Sequence, residues 1–187
     1  MAAVAIIPAR GGSRRIPRKN IRHFHGKPII AYSIEAAKAS GLFDRIYVSS
    51  DDREIGYIAD YWGAQFLLRE EQYAHDDVGT QEVMRSVLDK LHPVPDYACC
   101  IYPCAPMLKV EDLLLLKCCV EGERRLTWAY IEGMAYYGAT RSFLDSVPLT
   151  ENAGAFLPEN RWIDINTEED WMRAESMYAA LNWTRVP

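Results

Sequence analysis

The apolar run Val4-Ala5-Ile6-Ile7 leads through Pro8 and Ala9 straight into Arg10-Gly11-Gly12-Ser13-Arg14-Arg15-Ile16-Pro17-Arg18-Lys19-Asn20-Ile21-Arg22. A short apolar run without polar alternation is the pattern of a strand covered on both faces. Such strands build the parallel sheets of α/β folds, where ligands bind outside the carboxyl ends of the strands. The segment after this strand holds six basic side chains, two adjacent glycines and no acid, in a chain of formal net charge −5. Glycines let the backbone turn sharply and bring N–H groups close to an anion, and arginine and lysine neutralise what sits there. The segment reads as a polyphosphate cradle. A solvated basic loop or a nucleic-acid patch are the competing readings. Against nucleic acid, the rest of the chain is acidic and no aromatic residue interleaves with the basic ones before Phe24. The glycine spacing fits neither the dinucleotide fingerprint nor the P-loop.

The same alternation of apolar runs and helical periodicity continues along the chain. Helices are expected over residues 28–40, 53–62, 80–91 and 110–120, with Gly41 and Gly63 ending the first two. Strands are expected over 45–49, 65–68 and 97–102, and residues 69–79 read as a polar loop. Beyond Gly122 the pattern weakens to two apolar candidates for strands, 126–131 and 135–137. Residues 161–165 read as a further strand, and Thr167 with Asp170 forms a capping-box pattern opening a helix to about Leu181. That arrangement sets Asp164 and Asn166 on one face of a strand end. Strands alternating with helices predict a three-layer α/β/α domain with a mostly parallel sheet. At 187 residues and 49% hydrophobic content the chain suits one globular domain, and Pro8 breaks the opening apolar run before it could be a signal or membrane segment. The five cysteines, including the neighbours Cys99-Cys100 and Cys118-Cys119, have poor geometry for bridges or zinc and read as small buried hydrophobes in a reducing compartment.

Five segments in order carry a resemblance. Residues 7–20, beginning Ile7-Pro8-Ala9-Arg10-Gly11-Gly12, are similar to the signature of the acylneuraminate cytidylyltransferase family. So are Ser49-Ser50-Asp51-Asp52, Asp76-Asp77-Val78-Gly79-Thr80, Tyr102-Pro103-Cys104-Ala105-Pro106-Met107-Leu108, and Asp164-Ile165-Asn166-Thr167-Glu168-Glu169-Asp170-Trp171. The stretch from Arg14 to Asn20 and the final helix most resemble the members that activate pseudaminic acid. The resemblance implies a Rossmann-like nucleotidyltransferase fold and transfer of CMP from CTP to a nine-carbon sugar acid, with pyrophosphate leaving. It also implies a cytoplasmic enzyme whose partners are CTP and an anionic sugar acid, with no nucleic acid or membrane involved.

The roles it implies suit the chemistry, because nucleotidyl transfer is mostly positioning and charge stabilisation. Arg10 and Lys19 would contact the triphosphate and, with Asp164, carry catalysis. Ala9, Gly11, Gly12 and Ser13 would form the cradle with Arg14 as an added phosphate contact, and Asn20 would bind nucleotide or hold the loop. Asp51, Tyr102 and Ala105 would complete the nucleotide site. Asp164 and Asn166 would ligate Mg²⁺; the family usually has aspartate at both positions, and the neutral amide here implies either weaker metal binding or a site that uses Asp164 alone. Asp76 and Asp77 read equally as a solvated loop. His23, His25, His75 and His92 show no ligand spacing and read as surface or loop residues, and the tryptophans read as core or interface. Between about 120 and 137 the chain is shorter than the family pattern, which there carries a strand, an acidic-glycine motif lining the sugar site and a segment that makes a homodimer.

Overall fold

The computed structural model describes residues 1–122, 126–156 and 161–183. In chain order its elements are β1 (Ala3–Pro8), β2 (His23–Phe24), β3 (Lys27–Pro28), α1 (Ile29–Ser40), β4 (Arg45–Ser50), α2 (Arg53–Trp62) and β5 (Gln65–Leu68). There follow α3 (Thr80–Leu88), β6 (Tyr97–Ile101), α4 (Val110–Glu121), β7 (Trp128–Ile131), β8 (Ala135–Ala139), α5 (Thr140–Leu144), β9 (Ala153–Phe156) and α6 (Glu168–Trp183). Two short 3-10 turns, Lys19–Ile21 and Glu71–Tyr73, lie in the connections.

Seven strands form one sheet in the order β5-β4-β1-β6-β8-β7-β9. β1 pairs in parallel with both β4 and β6, β4 with β5, and β7 with β9, whereas β8 is antiparallel to both β6 and β7. All strands of this sheet but β8 therefore point the same way. The order reverses between β1 and β6, since β4 and β5 extend the sheet to one side and β6 to the other. A crevice opens at such a switch point.

Alternation along β1 sets the two faces. Ala5 and Ile7 pack with Ile30 and Ile34 of α1, Ile55 of α2 and Leu113 and Leu116 of α4. Val4 and Ile6 face the other way, onto Met84, Val87 and Leu88 of α3 and Phe143 of α5. The expected three layers are present. A third cluster joins the two ends of the chain: Ile16 and Phe24 of the basic segment and its hairpin pack with Ile29, Tyr32, Ile165, Trp171 and Ala174. Phe24 meets Trp171, Tyr32 and Tyr178 edge to face at centroid distances of 5.5, 5.6 and 5.5 Å, a favoured aromatic geometry. The cationic loop is thus pinned by its apolar residues to the carboxyl-terminal helix.

Several expectations are corrected. Residues 161–165 are not a strand. Arg161 reaches Met107 O and binds both oxygens of Asp112 at 2.8 and 2.9 Å, while Ile165 is buried in the third cluster. These residues are anchored to different elements, and no sheet partner sets their alternation. α3 ends at Leu88, three residues early: Lys90 and Leu91 close tighter bonds to Val87 and Leu88, and Pro93 and Pro95 forbid continuation. Strands β2 and β3 were not expected, and Pro28 was placed in the following helix; they form a hairpin whose turn, His25-Gly26, has positive φ at both residues (43° and 93°), the geometry that suits two-residue hairpins. Helix α5 and strand β9 were not foreseen. Cys99, Cys100 and Cys119 are buried as expected, but Cys118 is exposed and Cys104 half-buried. The capping box is present: Thr167 Oγ1 accepts from Asp170 N at 3.2 Å and Asp170 Oδ2 accepts from Thr167 N at 2.8 Å.

Candidate functional site

At the carboxyl ends of the parallel strands lies a cleft of about 730 Å³. Pro8 at the end of β1, Arg69 after β5, Tyr102 after β6 and Glu132 after β7 all line it. Among the described residues its wall carries five cationic side chains, Arg10, Arg14, Arg15, Lys19 and Arg69, against three carboxylates, Asp76, Glu132 and Asp164. An excess of positive charge in a crevice of an acidic protein attracts anions.

The basic segment is held in place by its own backbone and by β4. Ala9 N donates to Ser49 O at 2.9 Å, Gly11 N to Asp51 Oδ1 at 2.9 Å and Asn20 Nδ2 to Arg10 O at 2.8 Å. A side chain at position 11 would come within 2.7 Å of the Asp52 side chain, so glycine is required there by close approach. Asp52 caps α2 by accepting from Glu54 N at 2.8 Å and pairs with Arg18, whose backbone is left-handed (φ 56°). Of the Gly11, Gly12 and Ser13 amides expected to cradle phosphate, Gly11 N is given to Asp51 and Ser13 N to Gly11 O at 3.0 Å. The amide of Gly12 has no protein acceptor among the described residues, and the space beside it is open.

Arg10, Ser13, Arg14, Lys19, Asn20, Tyr102, Asp164 and Asn166 are brought together in the cleft wall. Ala9 and Ala105 are buried in the core beneath it, and Asp51 stands behind the loop as the acceptor for Gly11. Lys19 Nζ donates to Ile165 O at 2.6 Å, crossing from the basic segment to the far wall. Arg15 Nη2 donates to Asn166 Oδ1 at 2.7 Å, and Asn166 Nδ2 donates to Asp164 Oδ2. Asp76 is paired with both Arg10 and Arg14, the latter at 3.4 Å. Its carboxylate occupies cations that the sequence assigns to phosphate.

Burial tunes several groups in the wall. The Tyr102 hydroxyl is pushed up to about 12, and so is the Cys104 thiol, in both cases chiefly by desolvation. Both stay protonated at neutral pH. Cys104 Sγ lies 3.3 Å from Asn20 Oδ1. Arg69 is lowered from its usual value by burial, with Asp51 opposing that shift and Arg10 adding to it. Its guanidinium remains charged and donates to Ser49 O at 2.6 Å and Ser49 Oγ at 3.2 Å.

A divalent cation can be tested against these donors. Among the described residues no group of three or more histidine, cysteine or acidic side chains could hold a metal by itself. Asp164 lines the cleft, and its Oδ1 accepts from no protein donor among the described residues. One carboxylate beside a cationic cleft fits Mg²⁺, which keeps several waters and is commonly held by one or two carboxylates plus substrate phosphates.

Residue-by-residue reading of the sequence missed Arg15, Arg69, His75, Glu132 and Trp162, all in the cleft wall. Arg69 and Glu132 each follow the carboxyl end of a strand, so the crevice rule applied to β5 and β7 would have found them. The Trp162 indole lies over Gly133, where any side chain would come within 2.0 Å of Nε1.

Known proteins resemble the chain along the same lines. A cytidylyltransferase family model matches residues 4–117. The chain is 44% identical over 118 residues to the pseudaminic acid cytidylyltransferase of Campylobacter jejuni, covering 61% of this chain and 50% of that protein. It is 38% identical over 120 residues to the CMP-N,N'-diacetyllegionaminic acid synthase of Legionella pneumophila, covering 60% and 50%. The chain thus spans about half the length of the curated relatives it matches. A CMP:2-keto-3-deoxy-manno-octonic acid synthetase, solved with CTP, superposes with a TM-score of 0.79 over 97% of this chain and 100% of that one, at 14% identity. That likeness establishes the fold. Among the described residues no helix is long and apolar enough to cross a membrane.

Proposed function

The chain belongs to the cytidylyltransferase family, and from that premise we propose that it transfers CMP from CTP to a nine-carbon, sialic acid-like sugar acid, pseudaminic acid first among them. The observation that carries the reading is the cluster of five cations around the carboxyl ends of the parallel strands, in a chain that is acidic overall. Pseudaminic acid is preferred because of the 44% identity to the Campylobacter protein. N-acetylneuraminic, legionaminic and 3-deoxy-octulosonic acids are the alternative acceptors.

In this reaction a sugar hydroxyl gives up its proton to solvent as it attacks the α-phosphorus of CTP, and the bond to the pyrophosphate oxygen opposite it breaks, releasing pyrophosphate. The protein's task is to align the two and to spread the developing negative charge. Arg10, Arg14 and Lys19 hold the triphosphate together with the Gly12 amide. Asn20 positions Arg10 through its carbonyl oxygen, and Asp51 positions Gly11. Tyr102, a neutral hydroxyl at working pH, forms part of the nucleotide wall with Arg69. Asp164 would hold Mg²⁺, which would supply charge neutralisation at the phosphate oxygens. Residues 1–187 act in this reading as one domain in the cytoplasm, where CTP is made, and a homodimer would depend on the segment that is short between about 120 and 137.

The test is pyrophosphate release from CTP with a panel of these sugar acids, with and without Mg²⁺. Release with pseudaminic acid above the others supports the full reading. A second reading is a nucleotide-binding relative without turnover, favoured by asparagine at 166 in place of a second carboxylate and by the short segment between about 120 and 137. CTP binding with no release by any acid would establish that reading instead.

A further inference from the structure

Three contacts reach from the basic segment across to the residues that carry Asp164. Arg15 binds Asn166 Oδ1 at 2.7 Å, Lys19 binds Ile165 O at 2.6 Å, and Arg22 binds both carboxylate oxygens of Glu168 at 2.7 Å. The first has a chemical consequence for the expected metal pair. A guanidinium can only donate, so the amide oxygen of Asn166 must face Arg15 and its NH₂ must face the other way. The neighbour on that side is Asp164 Oδ2, which accepts from Asn166 Nδ2.

An amide turned this way offers hydrogens, where a metal ligand would offer a lone pair. Its oxygen is aimed at a cation already, and a second cation there would be repelled. Of the four side-chain heteroatoms of Asp164 and Asn166, only Asp164 Oδ1 lacks a protein partner among the described residues. We propose that Asn166 is a positioning residue and not a metal ligand: the chain Arg15→Asn166→Asp164 fixes the carboxylate, leaving Oδ1 as the one oxygen of this pair for a divalent cation. The inference rests on the cytidylyltransferase reading only in supposing that Asp164 meets such a cation. It also gives Arg15 a role beyond charge, since the arginine links the phosphate loop to the cation site. Residues that orient a ligand in this way alter metal affinity about 10- to 100-fold when removed.

The experiment uses the intact chain, Mn²⁺ as the paramagnetic probe and inorganic pyrophosphate to supply the phosphate oxygens such a site needs. Binding measured by electron paramagnetic resonance should be lost in Asp164→Ala and weakened about tenfold in Asn166→Ala. Arg15→Lys keeps the charge but loses the planar fork, so it should weaken Mn²⁺ several-fold in the parent and leave it unchanged in Asn166→Ala. In protein labelled with ¹⁵N at asparagine, the Asn166 side-chain protons should stay protected when diamagnetic Mg²⁺ is added. The proposal is overturned if Mg²⁺ releases those protons into fast exchange, if Arg15→Lys has the same effect in both backgrounds, or if Mn²⁺ binds Asp164→Ala as well as the parent. A chain that passes these tests but neither binds CTP nor releases pyrophosphate would defeat the proposed function and leave this inference standing.

Discussion

Asp76 sits where an incoming phosphate would be expected, and neutralising it should strengthen CTP binding. The Arg10–Asp76 pair is partly solvent-exposed, with side-chain exposures of 39% and 48%, and Arg14 is 86% exposed. Pairs of this kind are worth about 0.2–1 kcal/mol. The triphosphate must displace that contact to reach the guanidinium, so Asp76→Asn returns the same energy to the ligand. It also removes a like charge, worth about 0.6 kcal/mol at about 7 Å in water before screening. Together these give about 0.8–1.6 kcal/mol, so Kd for CTP should fall about 4- to 15-fold. Calorimetric titration without divalent cation, at about 0.05 M and about 1 M salt, provides the check. At the higher salt the Debye length is about 3 Å and the advantage of the variant should largely vanish. Weaker binding by Asp76→Asn would refute the reasoning, because it would make Asp76 a ligand contact or a brace for the loop. An unchanged Kd at low salt would show that the triphosphate leaves the ion pair undisturbed.

Lys19→Ala should lower CTP-dependent pyrophosphate release about 10²- to 10³-fold, the loss expected for removing one aimed stabiliser of charge, while a circular-dichroism melt shows the fold retained. Trp171→Ala, which empties the centre of the aromatic cluster under the basic loop, should destabilise the chain by about 3–5 kcal/mol, read from the urea midpoint. Alkaline pH should destabilise it too. Tyr102, Cys100 and Cys104 are pushed up to about 12, mainly by burial, from ordinary values of 10.0, 9.0 and 9.0. The folded chain therefore holds protons that the unfolded chain releases, so their contribution is complete below about pH 9 and is lost progressively towards pH 12. A urea midpoint no lower at about pH 10.5 than at about pH 8 would contradict that assignment.

The parallel half of the sheet was legible because β1, β4 and β6 are buried on both faces and its helices carry their own stops. Arg53–Trp62, ended by Gly63 with φ 92°, is a case where the local chemistry decides the boundary. Elements held only by tertiary contacts were not legible. The β2–β3 hairpin has two residues per strand, too few to show a period, and residues 161–165 alternate for reasons unrelated to a pleat. The site divides in the same way. Arg10, Lys19 and Asn20 were found because charge and glycine concentrate in one stretch of sequence. Arg69 and Glu132 stand alone in theirs, and only the direction of the preceding strands brings them to the cleft. Asp51 was expected to meet nucleotide, yet its carboxylate faces the Gly11 amide.

The family match ends at residue 117, whereas Asp164, a carboxylate with an oxygen free of protein donors among the described residues, lies beyond it in the wall opposite the basic loop. A nucleotide cradle alone could be built from β1, β4 and β6 with the basic segment. Transfer requires the opposite wall at a fixed distance from it, because in-line attack tolerates little misplacement. That distance is set twice over. Ile16 and Phe24 fasten the loop to Trp171 by apolar packing, while Arg15, Lys19 and Arg22 fasten it to Asn166, Ile165 and Glu168 by polar bonds. In the proposed reaction the cations of the loop would serve both walls: one set of side chains would neutralise phosphate and the same segment holds the carboxylate that would meet its metal. A ligand that draws Lys19 away from Ile165 must loosen one of those ties, so the apolar cluster has to keep the walls in register while the triphosphate is being bound.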